Sequence, residues 1–203
     1  MARTPATILH LLLVALCILS IQTTPSSASS DVHGLLSCLS GGIPSSLIQT
    51  PASNSYSSFL MSSVRNLRYV LPGITRPLVI VAANETAHVQ TTIICGRRHG
   101  VHVRTRSGGH DYEGMSYASV DNKHFAVLDL GELRAIHIDA SRSEAWVGSG
   151  ATLGELYYAA AAANQTFGFP AGNCPTVGVG GHLSGGGFGA LSRKYGLSAD
   201  NVI

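Results

Sequence analysis

Charge is scarce in this chain. Asp, Glu, Lys and Arg make up 12% of its 203 residues and leave a formal net charge of +2. So thin and balanced a charge excludes the basic field that nucleic acid requires. Long apolar runs are also missing: the longest covers residues 8–21, short of the ~20 residues a membrane span needs. That removes a membrane anchor from the expectations. His99 and His102 have no partner ligands at metal-site spacing, so no metal is expected. There is no internal repeat, no long linker and no composition of the disordered kind. A chain of this length holds one domain with its own core.

What is present begins with an address. Arg3, the short apolar run and the small residues Ser26, Ser27 and Ala28 have the order of a secretory signal peptide over residues 1–28. Secretion changes how the four cysteines read. Cys17 leaves with the signal, so Cys38, Cys95 and Cys174 remain, and an odd thiol in a secreted chain needs an explanation. Any two could pair. In that compartment Asn84-Glu85-Thr86 and Asn164-Gln165-Thr166 become glycosylation acceptors.

Residues 29–75 read as a docking segment, with helical character at 32–39 and an amphipathic turn or two at 53–71 carrying Tyr56, Phe59, Met61, Val64 and Leu67. The main domain is expected over 76–203. Residues 78–82 form an apolar run of strand length, of the kind buried on both faces. Asn84 is the expected N-cap of a helix over 86–98 with Val89, Ile93 and Ile94 inward. Gly100 ends it, and 101–105 alternates as a second strand. Residues 125–130, 135–138 and 144–147 read as strands. Thr152 and Glu155 form a capping box for a helix through Ala163. The fold class is α+β.

Two glycine-rich stretches carry the chemistry. The first is Arg106-Ser107-Gly108-Gly109-His110-Asp111-Tyr112 at the end of the second strand. The second runs from Gly172-Asn173-Cys174-Pro175-Thr176 into residues 178–189, which hold seven glycines. Glycines let a backbone approach a ligand closely and aim N–H groups at an anion. A histidine and a cysteine beside such turns point to a phosphate-bearing cofactor gripped at two places. Two other glycine readings fail. Gly185, Gly187 and Ala190 match the dinucleotide fingerprint in form, but no strand precedes them, and no Lys-Ser/Thr pair follows to make a phosphate-binding loop.

Together the two stretches resemble the berberine bridge enzyme-like flavoproteins of the FAD-linked oxidase superfamily. The resemblance implies a PCMH-type FAD-binding domain, here the front part of a longer family member. It implies FAD bonded covalently at two points: His110 at the 8α carbon and Cys174 at C6. The bland alternatives are that His110 caps its turn and that Cys174 is an inert or disulfide-bonded thiol. With Cys174 held by flavin, the resemblance pairs Cys38 with Cys95. Arg106, Ser107, Gly108, Gly109 and Asp111 would cradle the pyrophosphate side, with Tyr112, Ser116 and Tyr117 near flavin or ribityl. Asn173 sits in the same motif, and Gly178, Val179, Gly180, Gly181 and His182 would turn backbone N–H groups to the cofactor. His182 also reads as a satisfied structural histidine. Val177 stands where oxygen-reactive relatives carry a small residue, although a valine there could simply pack. The implied protein is a secreted, monomeric oxidoreductase that takes hydride from a small-molecule alcohol and passes the electrons to O2, giving H2O2. Its catalytic base is expected beyond Ile203. The alternatives are a dehydrogenase with another acceptor, or a truncated secreted remnant without catalysis.

Overall fold

A computed structural model describes residues 31–119, 121 and 123–203. The signal peptide expected over 1–28 lies outside the described residues. Four strands make the main sheet: β1 (Ile48–Gln49), β2 (Val79–Ala82), β3 (His102–Arg106) and β4 (Phe125–Asp129), in the order β1-β2-β4-β3. The last three are parallel and β1 is antiparallel to β2. β4 thus inserts between the two strands that sequence reading places in one strand–helix–strand unit.

The apolar runs of β2 and β4 are continuous because both faces of the sheet are covered. Val79, Val81, Ala126 and Leu128 point to one cluster with Leu35, Leu39 and Cys95. Ile80, Phe125 and Val127 point to the other with Tyr56, Leu60 and Tyr117. Successive strand residues alternate between the two, as the two-residue period requires. Each fully buried side chain of this kind contributes about 1.5–3 kcal/mol.

Helix α1 (Val32–Ser40) starts on Asp31, whose carboxylate accepts the Gly34 N–H at 2.8 Å. Helix α2 (Tyr56–Ser62) buries Tyr56 and Leu60, while Met61 and Leu67 remain exposed. Helix α3 (Thr86–Arg98) connects β2 to β3, and its contact with α1 is locked by the Cys38–Cys95 disulfide. Closing a loop of 57 residues of separation is worth roughly 2–4 kcal/mol in the usual case.

Two expectations about α3 are corrected. Its N-cap is Glu85, one residue after Asn84. Its buried face runs through His88, Thr92, Cys95 and Gly96, leaving Ile93 and Ile94 half exposed. The disulfide decides that rotation, together with Gly96, where an added Cβ would collide with Val103 of β3. The helix is oriented by a covalent bond and a close approach, which its apolar spacing does not reveal.

A second layer holds the antiparallel pair β5 (Ile136–Asp139) and β6 (Glu144–Val147), with α4 (Leu153–Ala163) packed against it. The capping box of Thr152 and Glu155 is present in both halves. Arg134 ties the hairpin to the same Glu155 carboxylate. Burial works against that charge, but the bonds from Thr152 and Arg134 hold Glu155 below its ordinary pKa. Two short helices, α5 (Val179–Ser184) and α6 (Ser192–Tyr195), and a 3-10 turn at Ser198–Asn201 complete the described chain.

Candidate functional site

The parallel strands β3 and β4 end side by side at Arg106 and Asp129. Loops leave a parallel sheet at this carboxyl end, and ligands gather there. The stretch beginning at Ser107 is such a loop. It turns through Gly109, whose φ of +67° is open to glycine at little cost, and presents His110. The second stretch comes from the other layer. Antiparallel bonds join it to the start of α4: Leu153 N–H donates to Val177 O and Val179 N–H to Ala151 O, at 2.9 and 2.8 Å.

The two stretches meet backbone to backbone. A Cβ added to Gly108 would fall on the Gly178 amide nitrogen, and one added to Gly178 would fall on Ser107 Oγ and the Gly108 nitrogen. Neither position admits a side chain. Ser107 Oγ donates to the Ser149 carbonyl at 2.6 Å, adding a polar tie beside the contact. Across the junction, His110 Nε2 lies 2.9 Å from Thr176 Oγ1, two residues beyond Cys174.

His110 is half-buried. Desolvation, and then the positive charge of Arg65, lower its pKa from the ordinary 6.5, with the Thr176 backbone pulling the other way. The imidazole is therefore neutral at neutral pH. When its Nε2 carries the proton and donates to Thr176, Nδ1 keeps a lone pair for nucleophilic use. Cys174 is an exposed free thiol, flanked by exposed Asn173 and Pro175.

Several residues expected at the cofactor make contacts within the fold. Arg106 is fully buried; its Nε donates to Asp129 Oδ2 at 2.5 Å, and its Cζ lies 5.7 Å from the centre of the Phe59 ring. Nη1 and Nη2 have no hydrogen-bond partner among the described residues. Arg106 thus braces the strand ends from inside the fold. Asp111 accepts the N–H groups of Glu113 and Met115, closing its own turn. Tyr117 is a core residue, edge-on to Tyr69, and its hydroxyl accepts the Asn66 N–H. Tyr112 is 89% exposed and Ser116 is half-buried.

In the second stretch the glycine-rich turn is a short helix. The N–H groups of Val179, Gly180 and His182 already donate to Ala151, Ser149 and Gly178 carbonyls. Gly181 is exposed, with open space where a side chain would stand, whereas Gly178 is buried against Ser107 and Gly108. His182 Nε2 accepts the Gly172 N–H at 3.0 Å, so this histidine is a structural one. Val177 packs against the cluster of Ala151, Leu153 and Leu156. Asn84 and Asn164 are both exposed.

Sequence reading passed over Thr176, Arg65 and Asn66. Thr176 lay inside a recognised stretch, but its partner was not legible. Arg65 and Asn66 belong to the segment assigned only to docking, and nothing local marks them. A cavity of about 440 Å³ opens by α4, lined by Tyr157, Phe167, Phe169 and Leu191; Asn173 is the one expected site residue on its wall.

A family model described as an FAD binding domain matches residues 77–203. The chain is 46% identical over 206 residues to berberine bridge enzyme-like Cyn d 4 of Cynodon dactylon, covering all of this chain and 40% of that protein. Among solved structures it is similar to wild-type Phl p 4.0202, a glucose dehydrogenase, with TM-score 0.82 and 51% identity over 83% of this chain and 34% of that one. An isoleucine-to-valine variant of Phl p 4, a glucose oxidase, matches equally: TM-score 0.82, 51% identity, 83% and 34% coverage. The chain thus spans well under half the length of these relatives.

Proposed function

We propose, from the premise that this chain belongs to the FAD binding domain family, that it is the cofactor-holding part of a secreted, monomeric flavoprotein oxidase with FAD bonded to both His110 and Cys174. The observation that carries this reading is the junction of the two stretches. Gly108 and Gly178 press bare backbone together, and His110 bonds Thr176 across the seam. A neutral imidazole and an exposed thiol are thereby presented by two loops in direct contact. That donor set suits a flavin, which needs nucleophiles and no metal ligand.

In this reading His110 and Cys174 hold the group covalently, while Ser107, Gly108, Gly109, Asn173, Gly178 and Gly181 shape the surface beneath it. Each bond would form with loss of one hydrogen from the side chain and one from the flavin, two protons and two electrons per bond, which one O2 would accept as H2O2. Bound FAD would supply the two-electron acceptor for oxidation of an alcohol, with O2 as the final acceptor. Holding the ring at two points fixes its orientation toward substrate, which is worth more than tight binding alone. The neutral state of His110 serves attachment, since only the unprotonated nitrogen is a nucleophile.

Val177 supports oxygen as the acceptor by its small size. The same contrast, valine against isoleucine, separates the glucose oxidase form of Phl p 4 from its dehydrogenase form. Glucose is the substrate named for Phl p 4, and a sugar or another small alcohol is the substrate class this reading takes. The Cys38–Cys95 disulfide and the exposed acceptors Asn84 and Asn164 support passage through an oxidising secretory compartment with glycosylation at both sites. The test is the mass of the natural, deglycosylated protein with peptide mapping. One FAD joining the His110 and Cys174 peptides is the expected result. Both peptides unmodified in protein purified from its source would sink the reading.

A further inference from the structure

The family match begins at residue 77, yet residues 63–69, before it, reach into the site. The Ser63 carbonyl lies so close to Gly109 that an added Cβ there would strike it. Asn66 Nδ2 donates to the Tyr112 carbonyl at 3.3 Å, and the Asn66 N–H donates to the Tyr117 hydroxyl at 3.3 Å. Tyr69 lays its ring against Gly114 and its hydroxyl 3.4 Å from Glu113. One short segment thus touches the His110 loop before the histidine and at four places after it.

His110 follows two glycines, the residues least able to hold their own conformation. A nucleophile mounted there is aimed only by what grips the chain on either side, and a small misplacement of a reacting atom costs rate steeply. We infer that residues 63–69 form a clasp on this loop and that Asn66 is a positioning residue for covalent attachment at His110. The inference rests on the reading that FAD is joined there. Asn66 suits the task because it is fixed at both ends: Oδ1 accepts the Arg68 N–H at 3.1 Å, holding its own turn, while Nδ2 reaches the loop.

Asn66→Asp separates these two bonds, keeping the acceptor for Arg68 and deleting the donor to Tyr112. Tyr117→Phe removes the second tie and keeps the ring in the core. Both variants are made in the natural protein expressed from its whole coding sequence. Three quantities are read: flavin on the His110 peptide, flavin on the Cys174 peptide, and amide hydrogen exchange over residues 109–117. In each variant the rate at which the His110 peptide gains flavin falls about fivefold, the size expected of one lost hydrogen bond. The Cys174 peptide stays modified and exchange over the loop quickens. Unchanged labelling and exchange would overturn the clasp and leave the attachment reading standing. Equal losses on both peptides would also overturn it, since they mark general destabilisation. A wild-type His110 peptide without flavin would defeat the attachment reading, and the positioning role with it.

Discussion

The His110 loop and the Cys174 loop present one nucleophile each, and they are held by opposite means. Side chains from distant parts of the chain hold the first. Arg104 donates to the carbonyls of Met115 and Ala118 while stacking 4.3 Å from the centre of the Phe125 ring, and Asn66 and Tyr69 grip it from the other side. Its base is a buried ion pair, Arg106 with Asp129. Mostly backbone bonds to the start of α4 and the residue before its cap hold the second, at Leu153, Gly154 and Ala151, helped by one imidazole and by the Tyr157 hydroxyl on the Gly172 carbonyl. Accordingly His110 is partly shielded and Cys174 is exposed. The difference teaches that the imidazole is fixed by contacts from several elements, while the thiol is held by its own loop and stays open to solvent.

Breaking the ion pair under the first loop has the largest expected effect. Arg106→Met leaves Asp129 buried without its partner and costs about 3–5 kcal/mol, read as a lower urea midpoint. A loss below about 1 kcal/mol would mean that Asp129 finds other donors and that the brace is dispensable. On the second loop, His182→Phe deprives the Gly172 N–H of its acceptor and costs about 1–3 kcal/mol. Flavin should be lost from the Cys174 peptide more than from the His110 peptide; the reverse order would erase the contrast between the loops.

The smallest effect on stability sharpens the comparison most. Arg65 is exposed, so Arg65→Met changes stability by no more than about 0.5 kcal/mol. It removes a positive charge that lowers the pKa of His110, so that pKa rises. The protonated, non-nucleophilic form then persists to higher pH, and the acid limb of attachment at His110 moves upward. The Cys174 limb stays where it is. The sign for stability follows from the same depression. The unfolded chain takes up the imidazole proton first, so wild-type stability declines as pH falls from about 6.5 through the lowered folded value. Arg65→Met narrows that window. A limb that fails to move would remove Arg65 from the site.

Much of the scaffold was legible beforehand, for local reasons. The runs in β2 and β4, the Thr152–Glu155 capping box and the two glycine-rich stretches each depend on neighbours within a few residues. The two motif stretches do meet, at Gly108 and Gly178. Their individual duties were less legible: Arg106 turned inward, Asp111 closed its own turn, and Tyr117 entered the core. In each case the expectation followed residue type, whereas the outcome followed what lay opposite.

The chain's own order of residues settled where backbone must be bare, where helices begin and which runs are buried, because steric room and hydrogen-bond capping act over a turn or less. Tertiary structure alone decided that β4 lies between β2 and β3, which face of α3 turns inward, and that residues 63–69 close on a loop more than forty residues later. Those outcomes come from pairs of surfaces meeting across long loops. Loop-closure entropy rises only slowly with separation, so no trace of the partner need be written nearby.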